Sequence, residues 1–252
     1  KSFNADGYVI GNSNGYNKNT DTFVSWSWLA GTTGSGTTTG SGTGKAYSYS
    51  VNTTAGFSII KYKGNATNGH QIPHHLGTTP SMTIIKISSG GTDNWIVQSA
   101  SRGWDKRLIL DTSNAEAAHT DFVTGVSSTT LTLQTNGSVN SNDNDYIAYV
   151  FAEKTGYSKF GSYTGNGNAS GTFVYTGFKP AFTIVKKITG DNWLLNDNKR
   201  NPSNLTTINI LPNLDLAEGA SSAPNGNVQD LLSNGFKRRG TDGGSNADGV
   251  EY

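Results

Sequence analysis

Two short phrases in the chain, TDNWIVQ starting at Thr92 and GDNWLLN starting at Gly190, share an Asp-Asn-Trp core. Each sets a carboxylate beside an aromatic plane: Asp93 with Trp95, and Asp191 with Trp193. That pairing suits a sugar, whose apolar face stacks on a ring while a carboxylate accepts from its hydroxyls. Asp-Asn is also ordinary turn chemistry, and a Trp that starts the following strand can bury its ring. Apolar runs just upstream, IIKI and TIVKK, predict a strand-turn-strand hairpin around both copies. Turn formation accounts for every residue type, so the pair reads as copied scaffold, with Pro80 and Pro180 as further landmarks upstream.

Other candidate chemistry is sparser. GHQIPHHLG gathers His70, His74 and His75, three of the four histidines. Neutral imidazole ligates metals, but Pro73 and Gly77 mark a loop, and loop surface without metal is the expectation. NSNDND (140–145) and DGGSNADG (242–249) offer oxygen ligands for calcium. Neither has the spacing of a twelve-residue calcium loop, and tight hairpins use the same residues. GSGTGKA resembles a phosphate loop but has Thr39 in place of the first Gly and Ala46 after Lys45. No Gly-x-Ser-x-Gly elbow or His-Glu-x-x-His pattern occurs, and no two carboxylates can be paired for glycoside hydrolysis. Glu116 and Glu218 recur at matching places, as a structural role such as capping a short turn would require. No enzyme activity and no cofactor are expected. Trp104, in SRGWDKR, has no aromatic counterpart in the matching NDNKRNPSN; an unduplicated Trp in a polar loop is the candidate platform for a glycan.

The elements that must position these residues are strands. TFVSWSW, FSIIKY, SMTIIKI, TLTLQ, DYIAYVF, GTFVYTGF and AFTIVKK are short β-branched and aromatic runs separated by Gly, Asn, Asp and Ser. Such spacing predicts an all-β sandwich or barrel. The segment 112–122 supplies at most one short helical turn. Charged residues are only 15% and the formal net charge is +1, which leaves no basic field for nucleic acid. No apolar run is long enough to span a membrane as a helix. Cysteine is absent, which excludes disulfides and thiolate chemistry.

The chain repeats itself. GFSIIKYKGN matches GYSKFGSYTGN, LGTTPSMTIIKI matches TGFKPAFTIVKK, and LILDTSNAEA matches INILPNLDLAE. Tyr146 falls opposite Tyr252, where the second module stops short of its final strand. The first thirty residues match 130–151, with Tyr8 opposite Leu131, Phe23 opposite Tyr146 and Trp28 opposite Phe151. The expected organisation is therefore a terminal hairpin of a preceding module (1–30), a Gly/Ser/Thr-rich linker with an entry strand (31–54), β-module 1 (55–154) and β-module 2 (155–252).

GYVIGNSNGYNKNTDTFVSWSWLAG, NTTAGFSIIKYKGN, HHLGTTPSMTIIKI, GYSKFGSYTGNGNASGTFVYTGFKPAF and LLSNGFKRRG together resemble a repeated β-module of tail-fibre-like proteins of marine bacteriophages, including those infecting cyanobacteria and pelagic bacteria. The resemblance spans nearly the whole chain and carries no catalytic residues with it. It implies a virion-associated, extracellular structural protein of the host-attachment apparatus, with other copies of itself and a cell-surface glycan as partners. Two other readings are a filament subunit that donates TFVSWSWLA as a strand to the next copy, and a secreted carbohydrate-binding module.

Overall fold

A computed structural model of the chain describes residues 2–4, 7–219 and 228–252. In chain order the elements of the first part are β1 (Ser2–Asn4), β2 (Gly7–Val9), α1 (Asn14–Asn17), β3 (Thr32–Thr37), β4 (Thr39–Gly40) and β5 (Ala46–Asn52). Next come β6 (Phe57–Lys63), β7 (His70–Pro73), β8 (Met82–Ser89), β9 (Ile96–Ser99), β10 (Lys106–Ile109), β11 (Ala117–Ala118), β12 (Val123–Val126), β13 (Thr130–Leu133), α2 (Gly137–Asn140) and β14 (Asp145–Phe151). The remainder holds β15 (Phe173–Tyr175), β16 (Phe182–Lys186), β17 (Trp193–Asp197), β18 (Gln229–Leu232) and β19 (Gly235–Arg238). The fold is nearly all β and β-sandwich-like; its two described helices have four residues each.

The sheet grows from β14. DYIAYVF alternates strictly, burying Tyr146, Ala148 and Val150, and the strand pairs along its whole length with β6 on one side and β8 on the other. The full order is β11-β10-β9-β8-β14-β6-β5-β3, faced by a second sheet, β12-β13-β7-β4. Between them lies the first core, where Ile60, Tyr62, Ile85, Ile87 and Tyr146 meet Ile72, Phe122, Leu131, Leu133 and Val139. Buried residues alternate with half-buried or exposed ones along β14 and β8, as strands packed on one face require.

The second part holds smaller sheets, β15-β19-β18 and β16-β17, some of whose pairings have counterparts in the first. Hairpin β16–β17 matches β8–β9, a bridge Leu195–Ile210 stands where β9 meets β10, and a bridge Thr164–Glu251 stands where β6 meets β14. The sheet β15-β19-β18 matches β7-β13-β12. Its core is small: Val185, Leu194, Leu211 and Tyr252, with Tyr163 and Val250. Thr164 and Glu251 pair as Lys63 and Asp145 do in β6 and β14.

One buried asparagine in each part ties the closing hairpin to the end of the first strand. Asn140 Oδ1 accepts from the Asn65 amide at 2.9 Å and from His70 Nδ1 at 2.9 Å. Its Nδ2 donates to the carbonyls of Thr67 at 3.0 Å and Gln134 at 2.7 Å. Asn246 does the same for Asn166 (3.1 Å), Asn168 (2.9 Å) and Gly240 (2.8 Å). Gly64 and Gly165 run so close to this turn that a Cβ would stand 2.2 Å from Ser141 O and 2.3 Å from Ala247 O. Above each asparagine two tyrosines stack, Tyr62 on Tyr146 at 5.2 Å and Tyr163 on Tyr252 at 5.1 Å. Their hydroxyls donate to matching carbonyls, Val139 and Gly137 in one part, Ser245 and Gly243 in the other. Residues 13–20 carry a third version: Ser13 caps α1 as Asn136 caps α2, and Asn17 donates to Gly11 O at 2.8 Å.

Several expectations are corrected. The Gly/Ser/Thr-rich stretch expected as a linker is strand: β3 pairs with β5 over six residues and β4 pairs with β7. Gly34 and Gly36 leave the space that the rings of Tyr49 and Tyr47 occupy, since a Cβ on Gly34 would lie 2.6 Å from the Tyr49 hydroxyl. The two glycines of this edge strand are thus covered by aromatic rings from its neighbour. TFVSWSW makes no ladder; Trp28 instead packs on Phe57 and Phe182, at 6.5 and 5.9 Å, and Trp26 on Phe182 at 6.1 Å. Segment 112–122 contains β11 and no helix, within the limit of at most one short turn.

Asn140→Ala leaves the Asn65 amide, the His70 imidazole N–H and two carbonyls without these partners inside the fold. It is expected to cost on the order of 3 kcal/mol in urea unfolding. Asn17→Ala, at an exposed copy of the same turn, is expected to stay within about 0.5 kcal/mol of wild type.

Candidate functional site

Both Asp-Asn-Trp phrases form the hairpin expected of them. Asp93 Oδ1 accepts from the Asn94 amide and Asp191 Oδ1 from the Asn192 amide, each at 2.7 Å. Lys86 and Lys186 reach across the hairpin to the carbonyls of Asp93 and Asp191. The Trp95 amide donates to Asp111 Oδ1 at 3.1 Å, and the Trp193 amide to Asn213 Oδ1 at 2.9 Å. Pro80 and Pro180 are both buried at the entry to the hairpin. The backbone work of the two copies is the same.

Their surroundings differ. Trp95 is half-buried, stacked on Tyr149 at 6.1 Å. Trp193 is buried, and its indole N–H donates to the carbonyl of Ile109, across in the first part, at 2.8 Å. Two further backbone bonds cross the same seam: Glu116 N to Ile188 O at 2.8 Å, and Asp191 N to Ser113 O at 2.9 Å. Gly190 passes close, with its Cβ position 3.3 Å from Ala115 N, at a positive φ of 95° that favours glycine. Arg102 completes the joint, pairing with Glu116 at 2.7 Å and with Glu251 of the second part at 2.5 Å. Lys186, packed over the Trp193 ring at 5.7 Å, is pulled down to about 8 by burial, against the attraction of Asp191. The second hairpin is therefore a plug, and the loop 109–116 is its socket.

Glu116 and Glu218 are not turn caps: they are partners of Arg102 and Arg200, the latter at 3.2 Å. This recurring Arg–Glu pair, the buried asparagines and the stacked tyrosines were not singled out from the sequence. Aligning Asn17, Asn140 and Asn246 would have exposed the asparagine, because each sits four residues after its capping residue.

The histidines do not converge. His70 and His74 are fully buried, which corrects the loop-surface expectation. Asn140 Oδ1 can only accept, so His70 carries its proton on Nδ1, and Thr38 Oγ1 donates to Nε2 at 2.7 Å. His74 bonds the Ser127 carbonyl at 3.2 Å and the Leu76 amide at 3.2 Å. His75 stacks on Tyr49 at 3.6 Å and meets the Tyr47 hydroxyl at 3.0 Å. Among the described residues no three His, Asp or Glu side chains are grouped to hold a metal. The acidic turns at 140–145 and 242–249 spend their side chains locally: Asp143 pairs with Lys45 at 2.6 Å, and Asp242 Oδ1 accepts from the Gly244 amide at 2.7 Å. Gly244 stands where Ser138 bonds Asp93, and a cavity of about 280 Å³ opens there beside Asp191 and Asp242.

Trp104 is partly buried and packs against the first core, its carbonyl accepting from Gln98 Nε2 at 2.8 Å. More open aromatics lie on β15, where Phe173 (43% exposed) and Tyr175 (65% exposed) project from alternate positions, on one face of the strand.

A family model described as a domain of unknown function (DUF7483) matches residues 1–252. The chain belongs to that family. No curated protein and no solved structure matches it. Within this DUF7483 chain, the repeated hairpin and its seam are the most fully built feature.

Trp193→Phe keeps the ring and removes the bond to Ile109. It is expected to lower the stability of the second part by about 1 kcal/mol in denaturant unfolding followed by hydrogen exchange, against less than ~0.5 kcal/mol for Trp95→Phe. Burial pushes His70 and His74 below the ordinary histidine value, offset in part by their bonds to Asn140 and Ser127. The unfolded chain then takes up protons that the fold resists. This stability is complete above about pH 6.5 and declines as pH falls through the lowered folded values. Urea midpoints measured at about pH 7.5 and 5.5 should show the fall, and His70→Gln should flatten part of it.

Proposed function

We propose that this protein is a non-enzymatic structural and adhesive element, in which repeated β-units joined at a stiff seam carry exposed aromatic faces to a cell-surface glycan. The observation that carries this reading is the repetition of one hydrogen-bond set. The asparagine tie, the tyrosine stack, the Asp-Asn-Trp hairpin and the Arg–Glu pair occur in both parts, with the parts locked through Trp193. A module duplicated with its scaffold intact gives length and rigidity. Buried imidazoles and carboxylates that serve hairpins and caps also support a structural role.

The marine-phage tail-fibre resemblance supplies the setting: a virion surface, where an appendage must be stiff and must touch polysaccharide. Phe173 and Tyr175 on β15 offer two rings on one strand face, roughly 7 Å apart at the usual strand rise. Such a pair suits stacking against neighbouring sugars, and Trp104 offers one ring half-covered by the core. The same rings would serve a secreted carbohydrate-binding module, which differs in the particle it belongs to and not in the contact.

A glycan array with the whole chain, read beside an oligosaccharide hydrolysis assay, tests the reading. Binding without turnover is expected, with Tyr175→Ser weakening it on the order of tenfold. Turnover of any oligosaccharide would replace the structural reading with an enzymatic one.

A further inference from the structure

The seam inside the chain is asymmetric: the second part gives the plug, residues 188–193, and the first part gives the socket, residues 109–116. Each part nevertheless contains both pieces. The first part has its own plug, SSGGTDNW (88–95), and the second its own socket, LPNLDLAE (211–218). The correspondence is anchored on both sides. Trp95 bonds Asp111 as Trp193 bonds Asn213, and Leu108 faces Val97 as Ile210 faces Leu195. Leu211 thus stands where Ile109 stands, Asp215 where Ser113 stands, and Ala217 where Ala115 stands.

Most of each spare piece is exposed. At the inner end of the second socket Leu211 is buried, and its carbonyl accepts from the Leu214 amide at 3.0 Å, leaving one lone pair for a further donor. Residues 88–93 are exposed, and the Trp95 indole N–H reaches no acceptor among the described residues. Across the molecule, Leu214 to Glu218 are all exposed. Leu214 (42%) and Leu216 (51%) take the places of Thr112 and Asn114, so this socket is more apolar than the occupied one.

We propose that the plug 88–95 of one copy docks into the socket 211–218 of a second copy of this chain, repeating between molecules the joint that 188–193 makes within one. Trp95 Nε1–H then donates to the Leu211 carbonyl, and the Asp93 amide donates to the Asp215 carbonyl. Tyr149, already stacked on Trp95, extends the apolar contact toward Leu214 and Leu216. Each copy uses one plug and one socket of different shape, so the contact is heterologous and propagates head to tail instead of closing a two-fold dimer. Three features of the internal joint are not copied. Thr92 stands where Gly190 passes the socket. The first plug is longer, SSGGTDNW against ITGDNW. Arg200 is also turned onto Asp197 at 2.7 Å and lies under Trp26, so no ion pair equivalent to Arg102–Glu251 crosses. The joint between molecules is accordingly weaker than the one within.

This inference rests on the structural reading and is independent of glycan binding. Its test is sedimentation velocity on the whole chain across a concentration series. Wild type should form species that lengthen with concentration. Trp95→Ala removes the plug ring, and Ala217→Arg fills the space beside which Thr92 of the plug must pass. Each variant alone should associate on the order of 30-fold more weakly, the loss expected of an interface hot spot. Mixed in equal amounts, the two should stop at dimers, because only one working plug and one working socket remain. Matching thermal melts separate lost docking from lost folding. Wild type that stays monomeric to about 100 µM, wild type that stops at a closed dimer, or variants that assemble as wild type does would overturn the inference. If Trp193→Phe still loosens the second part in that case, the internal seam and the structural reading survive it.

Discussion

A primary amide sealed from water needs two acceptors for its N–H groups and donors for its oxygen, and Asn140 and Asn246 each find all of them. This fixes the end of one strand against the closing hairpin with almost no freedom, because leaving any of those groups unpaired would be costly. Gly64 and Gly165 let the backbones close to within van der Waals reach, and the stacked tyrosines lock their hydroxyls onto the same turns. In the first part that closure sets the register of β6 with β14. The register decides which face of DYIAYVF is buried, and with it the core.

The second part depends on the first. Among the described residues its core cluster joins only Val185, Leu194, Leu211 and Tyr252, and its ladders are short. The seam compensates with backbone bonds, a buried indole and an Arg between two glutamates. Docking also changes chemistry: Lys186 and Lys86 reach equivalent carbonyls, and Lys186 is buried, so desolvation destabilises its ammonium. One sequence phrase thus has two environments, set by what lies across the seam.

Legibility in the sequence followed the range of each interaction. Strand runs, the Asp-Asn-Trp hairpins and the matched prolines could be read because alternation and turn chemistry act over a few residues. The burial of His70 could not, because Thr38 and Asn140, distant in the chain, create its site. Trp104 was identifiable as an unduplicated ring, while its packing against the first core is a property of the fold. The exposed pair on β15 went unremarked because GTFVYTGF reads the same whether its face is covered or open.

By itself, then, the sequence determined an all-β chain whose landmarks are copied in order, since local backbone preference and periodicity need no partner. Tertiary structure decided the rest. It made a strand of the glycine-rich stretch by laying Tyr47 and Tyr49 over it, and it buried two histidines. It also sent Trp193 into a seam while leaving Trp95 beside solvent. Identical short phrases cannot encode different fates; a fate that depends on what packs against a residue is settled only when distant segments meet.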